Sequence, residues 1–147
     1  MNPADAKTMR RRHLRWGWAG LAVFLSMGLL LEAMHGMKLG AYVGVDVETR
    51  RTMWRLAHAH GGLLSLIHIA FATSCAELSD ASAKLASTCL RVAIALLPLG
   101  FVLGGVWFHA GDPGLGVLLV PVGGLALLVG VWTVVRGVFA ESREADV

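Results

Sequence analysis

Four stretches of about 20 mostly apolar residues dominate this chain, at roughly 16–36, 54–74, 90–110 and 116–136. A bilayer's hydrocarbon core is about 30 Å thick and takes about 20 helical residues to cross. Inside it no water satisfies backbone N–H and C=O groups, so a segment of this length that crosses is a helix. Composition agrees, with 56% hydrophobic and 16% charged residues, where soluble domains carry about 25% charged. The predicted fold class is therefore an all-α integral membrane protein with four transmembrane helices. Short links favour an up-down-up-down antiparallel bundle.

Charge sets the expected orientation. Lys7, Arg10, Arg11, Arg12 and Arg15 precede the first span, and basic flanks stay cytoplasmic. With both termini cytoplasmic, nine of the 13 Lys and Arg residues fall inside: those five, Lys84, Arg91, Arg136 and Arg143. Lys38, Arg50, Arg51 and Arg55 fall outside. The expectation is a multi-pass protein of the cell membrane. A positive-inside flank accounts for the basic run, so no nucleic-acid partner is expected. Trp16, Trp18 and Trp132 mark one interface and Trp54 and Trp107 the other.

Residues 1–15 are expected to form a basic, mobile cytoplasmic leader, 16–140 a single transmembrane domain, and 141–147 a short charged tail. The first span has no small-residue cleavage site, which predicts that it is retained rather than removed as a signal peptide. The 37–53 connection is the longest outer loop, with Thr49 or Thr52 as the cap of the second helix. Residues 77–87 form an inner loop, with a short surface helix as an option, and Gly111-Asp112-Pro113-Gly114 a tight turn. Pro98 and Pro121 are expected to kink spans three and four. Cys75 and Cys89 lie on the reducing side and are expected to pack rather than to pair.

Small residues at steps of three and four define packing faces. In span two they run His58, Gly61, Ser65, His68, Ala72 and Cys75; in span four Gly123, Ala126, Gly130, Thr133 and Gly137. Span three offers Gly100 and Gly104. Such stripes let helix backbones approach closely where no hydrophobic effect drives association. The expected partners are thus the lipid bilayer and other membrane helices docking on the Gly-rich faces, in a homo-oligomer or as a subunit of a complex.

Five of the six histidines lie in or beside the apolar segments, and an ionisable side chain in a membrane is by default a functional group. At about 1.5 Å per residue, Glu32, His58 and His60 share a depth in the outer leaflet, with His35 and His109 nearer the surface. Glu32 and His35 are three apart and share a helix face. Glu32, His35, His58, His60 and His109 form the candidate metal set. Imidazole suits copper, zinc and iron alike, and Met34 and Met37 could add soft ligands. His58 and His60 point about 200° apart on a regular helix, which makes His60 a supporting group. A b-type haem is the other cofactor considered, with His35, His58, His109 and His68 as axial candidates. His68 lies deeper, where spans one, three and four offer no histidine, so a second haem level fails. His13 lies in the hydrophilic leader and is left out of the site.

No Cys-x-x-Cys-His, Gly-rich phosphate loop, Gly-x-Ser-x-Gly elbow or His-Glu-x-x-His occurs. Span four carries no ionisable side chain between Gly116 and Val135, which disfavours a stand-alone channel or transporter. Two functions are consistent with this pattern. One is a membrane protein whose His/Glu cluster near the extracytoplasmic side binds a metal ion or haem, as a redox or accessory subunit. The other is a non-catalytic packing or assembly subunit whose histidines only make interhelical hydrogen bonds.

Overall fold

The structure is a computed structural model that describes residues 2–144. It is all-helical: α1 (Pro3–Gly36), α2 (Gly40–Val43), α3 (Glu48–Ser74), α4 (Asp80–Val106) and α5 (Leu119–Glu144), with 3₁₀ turns before α3, after it and before α5. Among the described residues, four helices are long and apolar enough to cross a membrane, which is compatible with a multi-pass membrane protein. Residues 145–147 of the expected tail lie outside the described residues.

The leader is not mobile coil. It forms the first turns of α1, because Asn2 caps the helix by accepting a hydrogen bond from the Ala4 N–H at 3.1 Å. Pro3 stands in the first helical position and Asp5 in the first turn, where a proline's missing donor costs nothing and a carboxylate meets the positive helix end. Thirty-four residues make α1 about 51 Å long at 1.5 Å per residue, well beyond the roughly 30 Å of a bilayer core.

The connection between the first two long helices is also shorter than expected. α2 and a 3₁₀ turn occupy it, and α3 begins at Glu48 with no side-chain cap. Thr49 instead donates to the Gly111 carbonyl at 2.6 Å, tying the start of α3 to the link after α4. That link is a two-residue hairpin turn. His109 and Asp112 exchange both backbone hydrogen bonds, while Ala110 (φ 50°) and Gly111 (φ 91°) adopt the left-handed region that such turns require. The turn thus sits two residues earlier than its composition suggests. Between α3 and α4 no free-standing surface helix forms: Ser79 caps α4 by accepting from the Ser82 N–H, and residues 80–87 are the first turns of α4. α4 continues through Pro98. Pro121 falls in the first turn of α5, where its N–H would be unpaired anyway.

Each long helix packs against its neighbours in the chain, α1 on α3, α3 on α4 and α4 on α5; among the described residues α1 and α5 make no extended contact. The most apolar window of each helix is 39% buried in α3 and 50% in α4, but 11% in α1 and in α5. The middle pair is therefore the core, and the outer pair presents bare leucine and valine. Leu25, Leu29, Leu125 and Leu128 are all more than 60% exposed, a surface that in water would mark an interaction site.

The glycine stripes are occupied by this chain itself. Gly123 faces Leu97, Gly130 faces Cys89 and Leu90, Gly137 faces Leu78, and Gly100 faces Val120. Cys75 is buried and Cys89 half-buried, both as free thiols.

Candidate functional site

The α1–α3 interface positions everything that follows. A stripe on α1, His13, Gly17, Gly20, Phe24, Gly28 and Leu31, advances in steps of three and four. It meets the stripe of α3 knob by knob. A β-carbon at Gly28 would overlap the His58 ring, one at Gly61 the Phe24 ring, one at Gly20 the Ser65 hydroxyl, and one at Gly17 the Ile69 side chain. Each glycine thus admits a side chain from the facing helix that any larger residue would exclude.

Seated on Gly28, His58 donates from Nδ1–H to the Phe24 carbonyl at 2.7 Å. The carbonyl can only accept, which fixes the proton on Nδ1 and leaves Nε2 as an acceptor while the ring is neutral. A backbone hydrogen bond of this kind orients an imidazole for use at its other nitrogen.

That ring lines a cleft of about 830 Å³ between α1 and α3. Leu25, Leu29, Leu56 and Ala59 give its apolar wall, while Glu32, Arg55, Thr52 and Tyr42 stand toward the end nearest α2. The volume lies within the range of about 300–1,000 Å³ for small-molecule sites. Glu32 and Arg55 do not pair, since the one ion pair among the described residues is Lys84–Asp80. Both are exposed into the cleft mouth. Tyr42 is 2% exposed, and burial pushes its phenol above the ordinary 10.0, so it stays a neutral hydroxyl. Its ring stacks on Trp54 at 6.5 Å.

Arg50 fastens the same end of the helices. It donates to the carbonyls of Gly105 and Ala41 and lies over the rings of Trp54 and Phe108 at 5.6 and 5.1 Å.

The expected four-ligand convergence does not form. Of Glu32, His35, His58 and His109, only Glu32 and His58 share the cleft. His35 is exposed at the end of α1, with its ring edge to Tyr42 at 6.4 Å. His109 lies beyond the end of α4, in the hairpin turn, because the helix stops at Val106 rather than at 110. His60 faces away, donating from Nδ1–H to the Leu56 carbonyl at 2.9 Å and packing on Phe101 at 4.9 Å, as its phase on the helix requires. Among the described residues, no three His, Cys, Asp or Glu side chains are grouped so that they could hold a metal ion.

His68 does meet another histidine, where none was expected. Because α1 extends to Pro3, His13 is carried to its level. Both are fully buried, with rings stacked at 4.7 Å and 25°. His68 donates from Nε2–H to the Leu90 carbonyl at 3.2 Å. Nε2 of His13 and the Ser87 hydroxyl share a hydrogen bond of 2.8 Å, and Phe71 closes the pair edge-on at 4.5 Å. Rings already in contact leave no gap for a haem plane between them. Each Nδ1 is buried without a hydrogen-bond partner, a cost accepted for packing α1, α3 and α4 at one point. The sequence carried the signal: His13 stands four residues before Gly17 and seven before Gly20, on the small-residue face of α1. No protein-family model, no curated protein and no solved structure matches this chain.

Proposed function

We propose that the chain is a multi-pass membrane protein in up-down-up-down order with both termini cytoplasmic, whose α1–α3 cleft binds a small amphiphile through its head group. The order is supported by the interhelical pairs. As residue number rises in α1 from Gly17 through Gly20 to Gly28, its partner in α3 falls from Ile69 through Ser65 to His58. Gly100 with Val120, Gly123 with Leu97 and Gly130 with Leu90 do the same between α4 and α5. The nine-to-four distribution of Lys and Arg supports the orientation. A reporter fused after Val147 that is active only outside the cytoplasm overturns it.

The binding reading is carried by one observation: the His58 ring, locked to the Phe24 carbonyl, lines a cleft whose wall is leucine and whose rim carries Glu32 and Arg55. Nε2 accepts a hydrogen bond, so the head group it selects offers a hydroxyl or an N–H donor, and the apolar wall takes a hydrocarbon tail. A hydroquinone bearing a ten-carbon tail is a suitable probe, with its dimethyl ether as the analogue that cannot donate. Calorimetric titration in mild detergent is expected to show the hydroquinone binding about two- to tenfold tighter, the net worth of one hydrogen bond of about 0.5–1.5 kcal/mol. His58→Phe erases that preference. Equal affinity for both probes, or a preference that survives His58→Phe, refutes the reading.

A further inference from the structure

One face of α1 changes character along its length. Thr8, Arg11, Arg12 and Arg15, spaced so that they overlie one another on a helix, line a pocket of about 500 Å³. Arg15 and Trp16 also line the next cavity, an apolar groove of about 450 Å³ that continues past Val23 to Ile94 of α4. The two cavities share those two side chains, so a cationic pocket opens directly into an apolar groove. Lys7 and Arg10, the other cations of the basic run, lie outside both. None of the three arginines makes an ion pair among the described residues, where the one pair is Lys84–Asp80.

From this we infer that the inner end of α1 is a binding site for one anionic glycerophospholipid, its phosphate held by Arg11, Arg12 and Arg15 and an acyl chain laid in the groove against Val23 and Ile94. Three observations single out this occupant. Arginine guanidinium groups match phosphate oxygens in charge and geometry. The groove lies between α1 and Ile94 of α4, two helices that make no extended contact with each other among the described residues, so it is open to the side where the bilayer's acyl chains would lie. Trp16, 44% exposed at the junction, is the residue type that sits at head-group level. A topogenic basic flank needs neither a pocket nor a groove; an embedded phospholipid uses both. The inference rests on α1 crossing a bilayer, but its test does not, since binding is read in micelles whatever the orientation of the termini.

The test uses the full chain in a neutral maltoside micelle. It is titrated with phosphatidylglycerol and separately with phosphatidylcholine of the same acyl chains, and retained lipid is counted by native mass spectrometry. One phosphatidylglycerol per chain is expected to be retained in preference to phosphatidylcholine. Arg11→Gln, Arg12→Gln and Arg15→Gln together are expected to weaken retention about a hundredfold, at roughly fivefold per cation. The three corresponding Arg→Lys changes keep most of it, and Lys38→Gln, just past the other end of α1, leaves it unchanged. Ala19→Trp, which fills the groove without touching the arginines, is expected to abolish any preference for sixteen-carbon over eight-carbon chains. Equal retention of phosphatidylcholine, or retention unaltered in the triple glutamine variant, overturns the inference. So does displacement of the lipid by inorganic phosphate at equal concentration, which would make the pocket a simple anion site.

Discussion

Gly61 and Gly62 are neighbours on α3 with opposite surroundings, and they give the sharpest test of the α1–α3 interface. A β-carbon at 61 would overlap the ring of Phe24, whereas one at 62 meets nothing within 4 Å. Replacing a helical glycine by alanine gains about 1 kcal/mol of backbone propensity at either site. At 61 that gain is opposed by overpacking, typically about 1–3 kcal/mol. Gly62→Ala is therefore expected to stabilise by up to about 1 kcal/mol, and Gly61→Ala to be neutral or to destabilise by up to about 2 kcal/mol. The difference between the two, about 1–3 kcal/mol, corresponds to roughly 2–12 °C for a chain near 150 residues. It is read as the thermal midpoint of the helical circular dichroism signal in mild detergent. Because the clash is with one side chain, Phe24→Leu is expected to relieve it. The double variant should then be more stable than the two single effects added, with a coupling of about 0.5–3 kcal/mol. Equal midpoints for Gly61→Ala and Gly62→Ala, or strict additivity with Phe24→Leu, would show that α1 does not lie on α3 in this register.

Other expectations follow from the same contacts. His13→Ala opens a cavity between His68 and Phe71 and is expected to cost about 2–5 kcal/mol by chemical denaturation in detergent, whereas His35→Ala at an exposed position stays within about 0.5 kcal/mol. Gly111→Ala, at a φ of 91°, is expected to cost about 1–3 kcal/mol; Thr49→Val, which removes the hydrogen bond to the Gly111 carbonyl, costs about 0.5–1.5 kcal/mol. Pro121→Ala in the first turn of α5 is expected to leave the midpoint within error, and a loss comparable to that of His13→Ala would show that this proline shapes the helix.

The apolar stretches declared four long helices because hydrophobic length is a local property that no distant contact has to supply. Their ends were less legible. Val106 closes α4 four residues before the apolar pattern fades, since the hairpin at Ala110–Gly111 needs its own backbone geometry and draws Trp107, Phe108 and His109 out of the helix. At the other extreme, α1 begins thirteen residues before its apolar stretch. The Asn2-Pro3 start and Asp5 are ordinary helix-opening signals, overshadowed in a basic segment that explains itself as a topology flank.

The candidate site was legible by depth and not by direction. Residue count along a helix places Glu32 and His58 at one level, and both line the α1–α3 cleft. What count alone does not supply is which way each ring points once the helices are in register. The small-residue stripes supply it. His58 and His68 lie on the stripe of α3, and His13 on that of α1, so all three are turned into the α1–α3 interface: His58 bonds the Phe24 carbonyl there, while His13 and His68 stack on each other and reach Ser87 and Leu90 of α4. His60 is out of phase by about 200° and meets α4 instead, through Phe101. His35, one step of four past Leu31 in the last turn of α1, and His109, beyond the end of α4, both end exposed. Small residues let helix backbones approach closely, and here each glycine of the stripes seats a larger side chain of the facing helix, so a polar side chain on such a line is held by its neighbours whatever its depth. Phase against the glycines, rather than nearness to the outer surface, therefore separates the histidine that serves the cleft from those that serve packing or face outward. On that criterion His58 alone combines a stripe position with a cavity in front of it.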